Sequence, residues 1–502
     1  MVRWLALIFL FLAAPAWAAE AGKPDLVLTG QVLGADHQTY KPVTFEVPPG
    51  VTRVTVGFDY TRDQKTVVDL GLLDPVRFRG WSGGNKKRFT LSAEDATPSY
   101  LPGPLPAGRW TLLLGVPNAR PGSSAAYEAR IAFERGPAPT SFAPAPLKAA
   151  PGWYRGDLHM HTAHSDGSCL AQSGARAPCP VYRTVEAAKA RGLDFIAITD
   201  HNTTSHYEAM AELQPAFDQL LLIPGREVTT FQGHANVFGP TAFIDFRLGD
   251  PSVPDIRSLQ SAVAAAGGVF SINHPSAPSG EQCMGCGWTV TNTDYDQVQS
   301  IEVANGGSQR AQGGVEGPLF GGPFWEAQLN AGHRITAVGG SDNHDAGLAP
   351  DTPGAVGRPT TVVHAEALST AGILAGIREG RVFIDLDGTE DRMLDMSAHS
   401  KSGQAVMGGV LTARPGEAVA FTASLTGGEI SGLEVIRDGA KLPVTVGPTG
   451  AFTVRMGDKA SWVRLNFRDA QGRLLLIGNP IYLTPLPKGE GGTQAKLGRV
   501  RG

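Results

Sequence analysis

Surplus charge of one sign, cysteine and long apolar runs are all scarce in this chain. Lys and Arg number 43 against 47 Asp and Glu, and charged residues make up only 18% of the 502. A net charge of −4 spread so thinly argues against an electrostatic nucleic-acid binder, which needs a basic face. After the amino-terminal segment no run approaches the roughly 18 apolar residues of a membrane helix. A Walker loop and a G-x-G-x-x-G after a strand are also missing, so no nucleotide-phosphate cradle is written into the chain. What is plentiful is Gly (63) and Pro (37), about a fifth of all residues and without a collagen-like period. That composition points to many turns, hence to β-rich modules or a loop-rich enzyme. Apolar residues at 42% suffice for ordinary cores and exceed what a disordered chain carries. The length suggests about three domains.

Residues 1–18 read MVRWLALIFLFLAAPAWA: Arg3, an apolar run from Trp4 to Ala14, then the small residues Ala16 and Ala18. This is the layout of a cleaved signal peptide, so the mature protein is expected to be periplasmic or secreted and to begin near Ala19. The four cysteines, Cys169, Cys179, Cys283 and Cys286, fit an oxidising compartment, where an even number is more often disulfide than metal site. The local pairs are the simplest connectivity, but four cysteines allow three.

Residues 24–135 alternate apolar and polar in short runs such as VTRVTVGFDY and RWTLLLGV, separated by turn clusters, and predict an amino-terminal β-sandwich. Residues 136–151 form a Pro/Ala-rich linker. Over 152–390 apolar runs alternate with helical patterns: DFIAIT after TVEAAKARG, GVFSIN after IRSLQSAVAAAG, RITAVGG after WEAQLNAG. That repetition predicts a parallel β/α architecture, most economically a barrel. Residues 391–485 return to β-like alternation and predict a second small sandwich, and 486–502 read as a disordered tail.

The chemistry concentrates in the β/α region, where nine of the twelve His lie between positions 159 and 344. In Asp157-Leu158-His159-Met160-His161 the two imidazoles are i and i+2, on one face of a strand, where both can grip one ion. Asp166 follows as the chain turns out of that strand. Asp200 and His201 end the run DFIAIT, Glu227 follows LLLIPG, His234 lies in QGHANVFG, His274 directly follows GVFSIN's Asn273, and Asp342 and His344 follow RITAVGG. Separate apolar strands therefore each deliver His, Asp or Glu at the carboxyl end, the face where β/α barrels build active sites. Imidazoles and carboxylates without thiolates suit Zn, Mn or Fe, and the number of candidates exceeds one tetrahedral shell, which implies two or three divalent ions.

These motifs, with Ser165-Asp166-Gly167, Thr199-Asp200-His201, Asn273-His274-Pro275 and Ser341-Asp342-Asn343-His344, resemble those of the PHP (polymerase and histidinol phosphatase) metallohydrolase superfamily. The phrases WYRGDLHMHT, GLDFIAITDHNT and GHANVFG are similar to its carbaryl-hydrolase branch. The resemblance implies a distorted (β/α)7 TIM-like barrel flanked by two all-β sandwich-like domains. It implies that His159, His161, Glu227 and Asp342 hold a first metal, that Glu227 bridges to a second completed by His234 and His274, and that Asp166, His201 and His344 hold a third. The Cys-bearing insertions after Asp166 and after His274 depart from the pattern.

The expected activity is hydrolysis of a small-molecule or oligonucleotide ester by a metal-bridging hydroxide, phosphoesters first and carbamates or aryl carboxylic esters next. A non-catalytic periplasmic metal- or glycan-binding protein is the competing class. Asp342, His164 and His206 are the candidate general acids. Arg226 reads first as half of a structural ion pair and second as a binder of substrate anions. Trp288, Phe320, Phe324 and Trp325 read first as core and second as pocket lining. No stable nucleic-acid complex and no membrane span are expected.

Overall fold

The computed structural model describes residues 23–136, 140–281, 283 and 285–487. The expected signal peptide lies outside the described residues, as does the tail from residue 488 onward. Two compact units divide after Pro137.

In the first unit, eight strands form two four-stranded antiparallel sheets. Along Gly108–Asn118 the residues Trp110, Leu112, Leu114 and Val116 recur at every second position, all at most 1% exposed. With a period of two, one side of the strand is wholly apolar, and it shares a core with Val54, Val56 and Phe58 of the other sheet. Arg79 is wholly buried against Asp74, Nη1 to Oδ2 at 2.9 Å.

The second unit is organised by a 15-stranded mixed sheet. The apolar runs of the sequence do form strands: Phe195–Ile198, Leu221–Thr230, Val269–Ile272 and Thr336–Gly340, with every residue of the short ones buried. Helices between them follow the expected physics. Ile256–Ala265 buries Ile256, Leu259, Gln260 and Val263 on one face, and Asp255 caps it by accepting from the Ser258 amide. Thr370–Glu379 starts on a Ser369 cap and ends at Gly380, whose φ of +74° is left-handed.

A (β/α)7 barrel between separate sandwiches is nevertheless not what the chain forms. Among the described residues strand makes up 41% and helix 14%, with six α-helices. Three connections explain the difference. Leu221–Thr230 turns back through two residues into the antiparallel Gly233–Phe238, and a turn that short has no room for the crossover helix a parallel neighbour requires. Thr360–Ala365 runs antiparallel to Gly152–Asp157, and is tied to Thr336–Gly340 through the Thr361 hydroxyl, which donates to the Gly339 carbonyl at 2.6 Å. Finally, Val382–Asp385 pairs with Leu474–Gly478, so carboxyl-terminal strands continue the large sheet instead of standing apart as a sandwich. A separate four-stranded sheet built on Met393–Ser400 and Ala418–Thr426 shares its core with them.

Candidate metal centre

Four apolar strands of the second unit end where polar residues begin, and those ends converge. Gly152–Asp157 leads to His159 and His161, Phe195–Ile198 to Asp200 and His201, Val269–Ile272 to His274, and Thr336–Gly340 to Asp342 and His344. The antiparallel pair adds Glu227 and His234, two rungs apart.

Glu227 lies at the centre, wholly buried. Its Oε1 is 3.2 Å from His274 Nε2, 3.2 Å from His234 Nδ1 and 3.5 Å from His159 Nε2, and its Oε2 is 3.6 Å from His161 Nε2. Asp342 Oδ1 is 3.3 Å from His159 Nε2 and 3.2 Å from His161 Nε2. Towards solvent, Asp166 Oδ1 is 3.3 Å from His344 Nε2, 3.7 Å from His201 Nε2 and 3.9 Å from His161 Nδ1. All nine candidate ligands are thus brought together. Donor groups within 4.8 Å are His161–Asp166–His201–His344, His159–His161–Glu227, Glu227–His234–His274 and His159–His274–Glu302.

The donor set fits divalent cations. His159 Nε2, His234 Nε2 and Glu227 Oε2 are buried without a well-formed hydrogen bond, although Glu227 Oε2 lies 2.9 Å from His201 Nδ1, and bound ions would relieve that costly state. The charges point the same way. Burial pushes Glu227 up, yet the His159 imidazole and its own bonds to His159, His201 and His234 hold it well below the carboxylate range. Asp342 is likewise held low against burial, first by His159. Burial lowers His201, but Asp166 and Glu227 raise it to about 10, and Asp166 and Asp342 raise His344 to about 9 against the same penalty. Ionised carboxylates here collect protons on imidazoles, and divalent ions would displace those protons.

Backbone strain gathers at the site. His274 and Asp342 have φ of +25° and +52°, and Asn202, next to His201, has +52°; all lie in the left-handed region that non-glycine residues avoid. A glycine is required at 340, where a Cβ would stand 2.5 Å from both Glu302 Oε1 and His159 Cβ.

Other expected residues sit elsewhere. His164 is exposed, its Nδ1 held by Ser205 Oγ at 2.7 Å. His206 is wholly buried behind the site, its Nε2 2.9 Å from the Gly225 carbonyl, and burial lowers it to about 4. Arg226 is buried and donates Nη2 to the Pro240 and Ala242 carbonyls at 2.9 and 2.5 Å, so it serves backbone acceptors and not an ion pair or the donor cluster. Trp288 and Trp325 are buried core residues, with Phe320 and Phe324 packed against the same cluster. Both cysteine pairs are local, Cys169–Cys179 and Cys283–Cys286.

Several supporting roles are visible only in the structure: Asp200 and Asn273 were named in motifs without one, and Thr229 and Glu302 were not singled out. Asp200 accepts from the Thr162 amide, Thr162 Oγ1 and Ser165 Oγ at 2.7, 2.6 and 2.6 Å, and so anchors the loop that presents Asp166. Asn273 Nδ2 donates to Glu227 at 2.8 Å, and Thr229 Oγ1 meets His201 Nδ1 at 2.6 Å. Glu302 lies inside Ser300–Asn305, a strand buried at every residue, and the half-polar run SIEVAN gives no sequence signal of that.

Among the described residues no helix is long and apolar enough to cross a membrane. Neither a protein-family model nor a curated protein matches the chain. Among solved structures, it is similar to a Bifidobacterium adolescentis protein provisionally described as a metal-dependent phosphoesterase, with 18% identity over 40% of this chain and 90% of that one and a TM-score of 0.26. It is also similar to a β-glucuronidase of Parabacteroides merdae, with 9% identity over 92% of this chain and 64% of that one and a TM-score of 0.18. Scores this low do not establish a shared fold, and the site rests on its own geometry.

Proposed function

We propose that the chain is an exported, metal-dependent hydrolase of ester bonds, with phosphoesters as the first substrate class, as its PHP-like motifs imply. The observation that carries this reading is the set of three buried donor atoms without well-formed hydrogen bonds where the clusters meet. His159, His161, Glu227 and Asp342 would hold one ion, Glu227, His234 and His274 a second, and Asp166, His201 and His344 a third. Divalent ions there supply Lewis-acid polarisation of the ester and acidify a bound water.

The chain's own groups do the rest. Asp342 is ionised and faces three imidazoles, which suits a ligand better than a proton donor. His206 is walled off by backbone carbonyls. Of the three candidates that leaves His164, exposed and bonded to Ser205 outside the donor cluster, as the proposed proton donor to a leaving group. The two disulfides agree with export.

A second reading, hydrolysis of neutral carbamate or aryl carboxylic esters of the carbaryl-hydrolase type, is favoured by Arg226. The cation the sequence offered for a substrate anion is committed to Pro240 and Ala242. The test compares an aryl phosphate with an aryl N-methylcarbamate on Mn- or Zn-loaded protein, with chelated protein and His274→Ala as controls. Metal-dependent turnover of the phosphate supports the first reading and of the carbamate the second. No metal-dependent turnover of either would leave a binding protein.

A further inference from the structure

We infer that Glu302 is a positioning residue that fixes the inner half of the donor cluster while leaving the outer half untouched. This rests on the metal-site reading above. Glu302 is 3% exposed, and its carboxylate faces donors, not a Lys or Arg. Oε1 accepts from His159 Nδ1 at 3.0 Å, and Oε2 accepts from the His274 amide and from Asn305 Nδ2, each at 3.0 Å.

Each bond has a consequence for a different strand end. Accepting at His159 Nδ1 keeps the proton there, so the Nε2 lone pair is the one turned towards Glu227 and Asp342. Accepting from the His274 amide pins a residue whose φ of +25° would otherwise relax. The other nitrogen of that ring, Nδ1, meets the Cys286 carbonyl at 3.1 Å, so Nε2 again points at Glu227. Asn305, anchored on Glu302, donates also to Asp342 Oδ2 at 3.2 Å. One buried carboxylate thereby sets the direction of donors arriving from three separate strands.

Glu302 could instead be counted as a ligand, because it lies within one donor group with His159 and His274. Its contacts argue against that: both oxygens are already engaged by N–H donors. A ligand role would require His159 to turn its Nδ1–H away and the His274 amide to lose its acceptor. The outer group of His161, Asp166, His201 and His344 has no hydrogen bond to Glu302 among the described residues, so the effect of removing it is confined.

The experiment measures zinc content of the full mature chain after equilibration at buffered free zinc, together with the visible spectrum of the cobalt(II)-substituted protein. Wild type, Glu302→Ala and the isosteric Glu302→Gln are compared. The expected result is a loss of affinity of about 10- to 100-fold at one or two sites in Glu302→Ala, with an altered cobalt spectrum, while the outer site stays filled. Glu302→Gln, which keeps one acceptor oxygen, should lose less. Equal affinity and an unchanged spectrum in both variants would overturn the inference, as would simultaneous loss of every ion in both. A wild-type chain that binds no zinc or cobalt would overturn the metal-site reading itself, which separates the two failures.

Discussion

Asp200→Ala should destabilise the protein and loosen the outer donor group without touching the inner one. Asp200 is fully buried and ionised: burial pushes it up, but His206 and the bonds from Ser165 and Thr162 outweigh that. Three donors end on its carboxylate. Ser165 is partly exposed and can turn to water, but Thr162 is 0% exposed and its amide and hydroxyl would both be stranded. A hydrogen bond to a charged acceptor is worth about 1.5–3 kcal/mol, so the two stranded donors put the loss at roughly 3–6 kcal/mol. Urea unfolding followed by tryptophan fluorescence would read it as a lower midpoint at unchanged slope. Gly167 also leans on this loop, its amide donating to the Thr162 carbonyl at 2.9 Å, so Asp166 should lose its fixed position. Zinc titration should then show the outer site weakened and the inner sites intact. A destabilisation below about 1 kcal/mol, or loss of the inner ions first, would refute the reasoning.

Three further outcomes follow from buried groups. Arg226→Lys should cost about 1–3 kcal/mol, because Nη2 alone reaches both the Pro240 and Ala242 carbonyls and the shorter lysine side chain would leave at least one of these buried acceptors unmet, and should leave KM for an aryl phosphate unchanged; a raised KM with unaltered kcat would return Arg226 to the substrate. Asp74 is held below its ordinary value: burial raises it, but Arg79 and the Arg77 and Val76 amides lower it further. Because the folded value is the depressed one, its stabilisation is complete above the unfolded pKa of about 3.9 and is lost as pH falls through the folded value. The stability gap between wild type and Asp74→Asn should therefore be about 3–5 kcal/mol at pH 7 and narrow below about pH 4; a gap that stays constant to pH 2 in urea titrations would contradict this. Replacing Cys169 and Cys179 together by Ser should cost about 3 kcal/mol from loop closure, since ten positions separate them, and should free the Ser168 amide that donates to the His344 carbonyl; unchanged melting in differential scanning calorimetry would argue against it.

The convergence of the candidate ligands was legible in the sequence for a local reason. Four apolar runs each stop at a polar residue, and strands that run the same way through one sheet, as these four do, present those ends at the same edge. His159 and His161 needed only the period of two. The architecture was not legible for the opposite reason. Whether Leu221–Thr230 is followed by a crossover or a hairpin depends on the turn Phe231-Gln232, which carries no glycine at its centre and none of the usual hairpin dipeptides. Likewise nothing in RLLLIG announces that Leu474–Gly478 pairs with Val382–Asp385 nearly ninety residues earlier in the chain. Glu302 was hidden because SIEVAN, half polar, lacks the continuous apolar run of a strand buried on both faces, so nothing in it announced that its acid would be enclosed.

Those hidden residues divide the labour at the site. The inner donors are oriented from below by groups that water does not reach: Glu302 behind His159, Asn273 against Glu227, Asn305 against Asp342 and the Cys286 carbonyl against His274. The outer donors are oriented mostly from loops, by Asp200 through Thr162 and Ser165 and by the Cys169–Cys179 hairpin, whose Ser168 amide holds the His344 carbonyl at 2.8 Å; Thr229, at the end of the strand Leu221–Thr230, meets His201. Asp166, with its side chain 55% exposed, needs that loop support most, because solvent can replace any contact it loses. A cluster held in this way has a rigid half that strand geometry dictates and a half that can be adjusted by changing loops. The two disulfide-bearing insertions each reach one half of the cluster from outside the sheet: the Cys286 carbonyl meets His274 Nδ1 in the inner half, and the Ser168 amide holds the His344 carbonyl in the outer one.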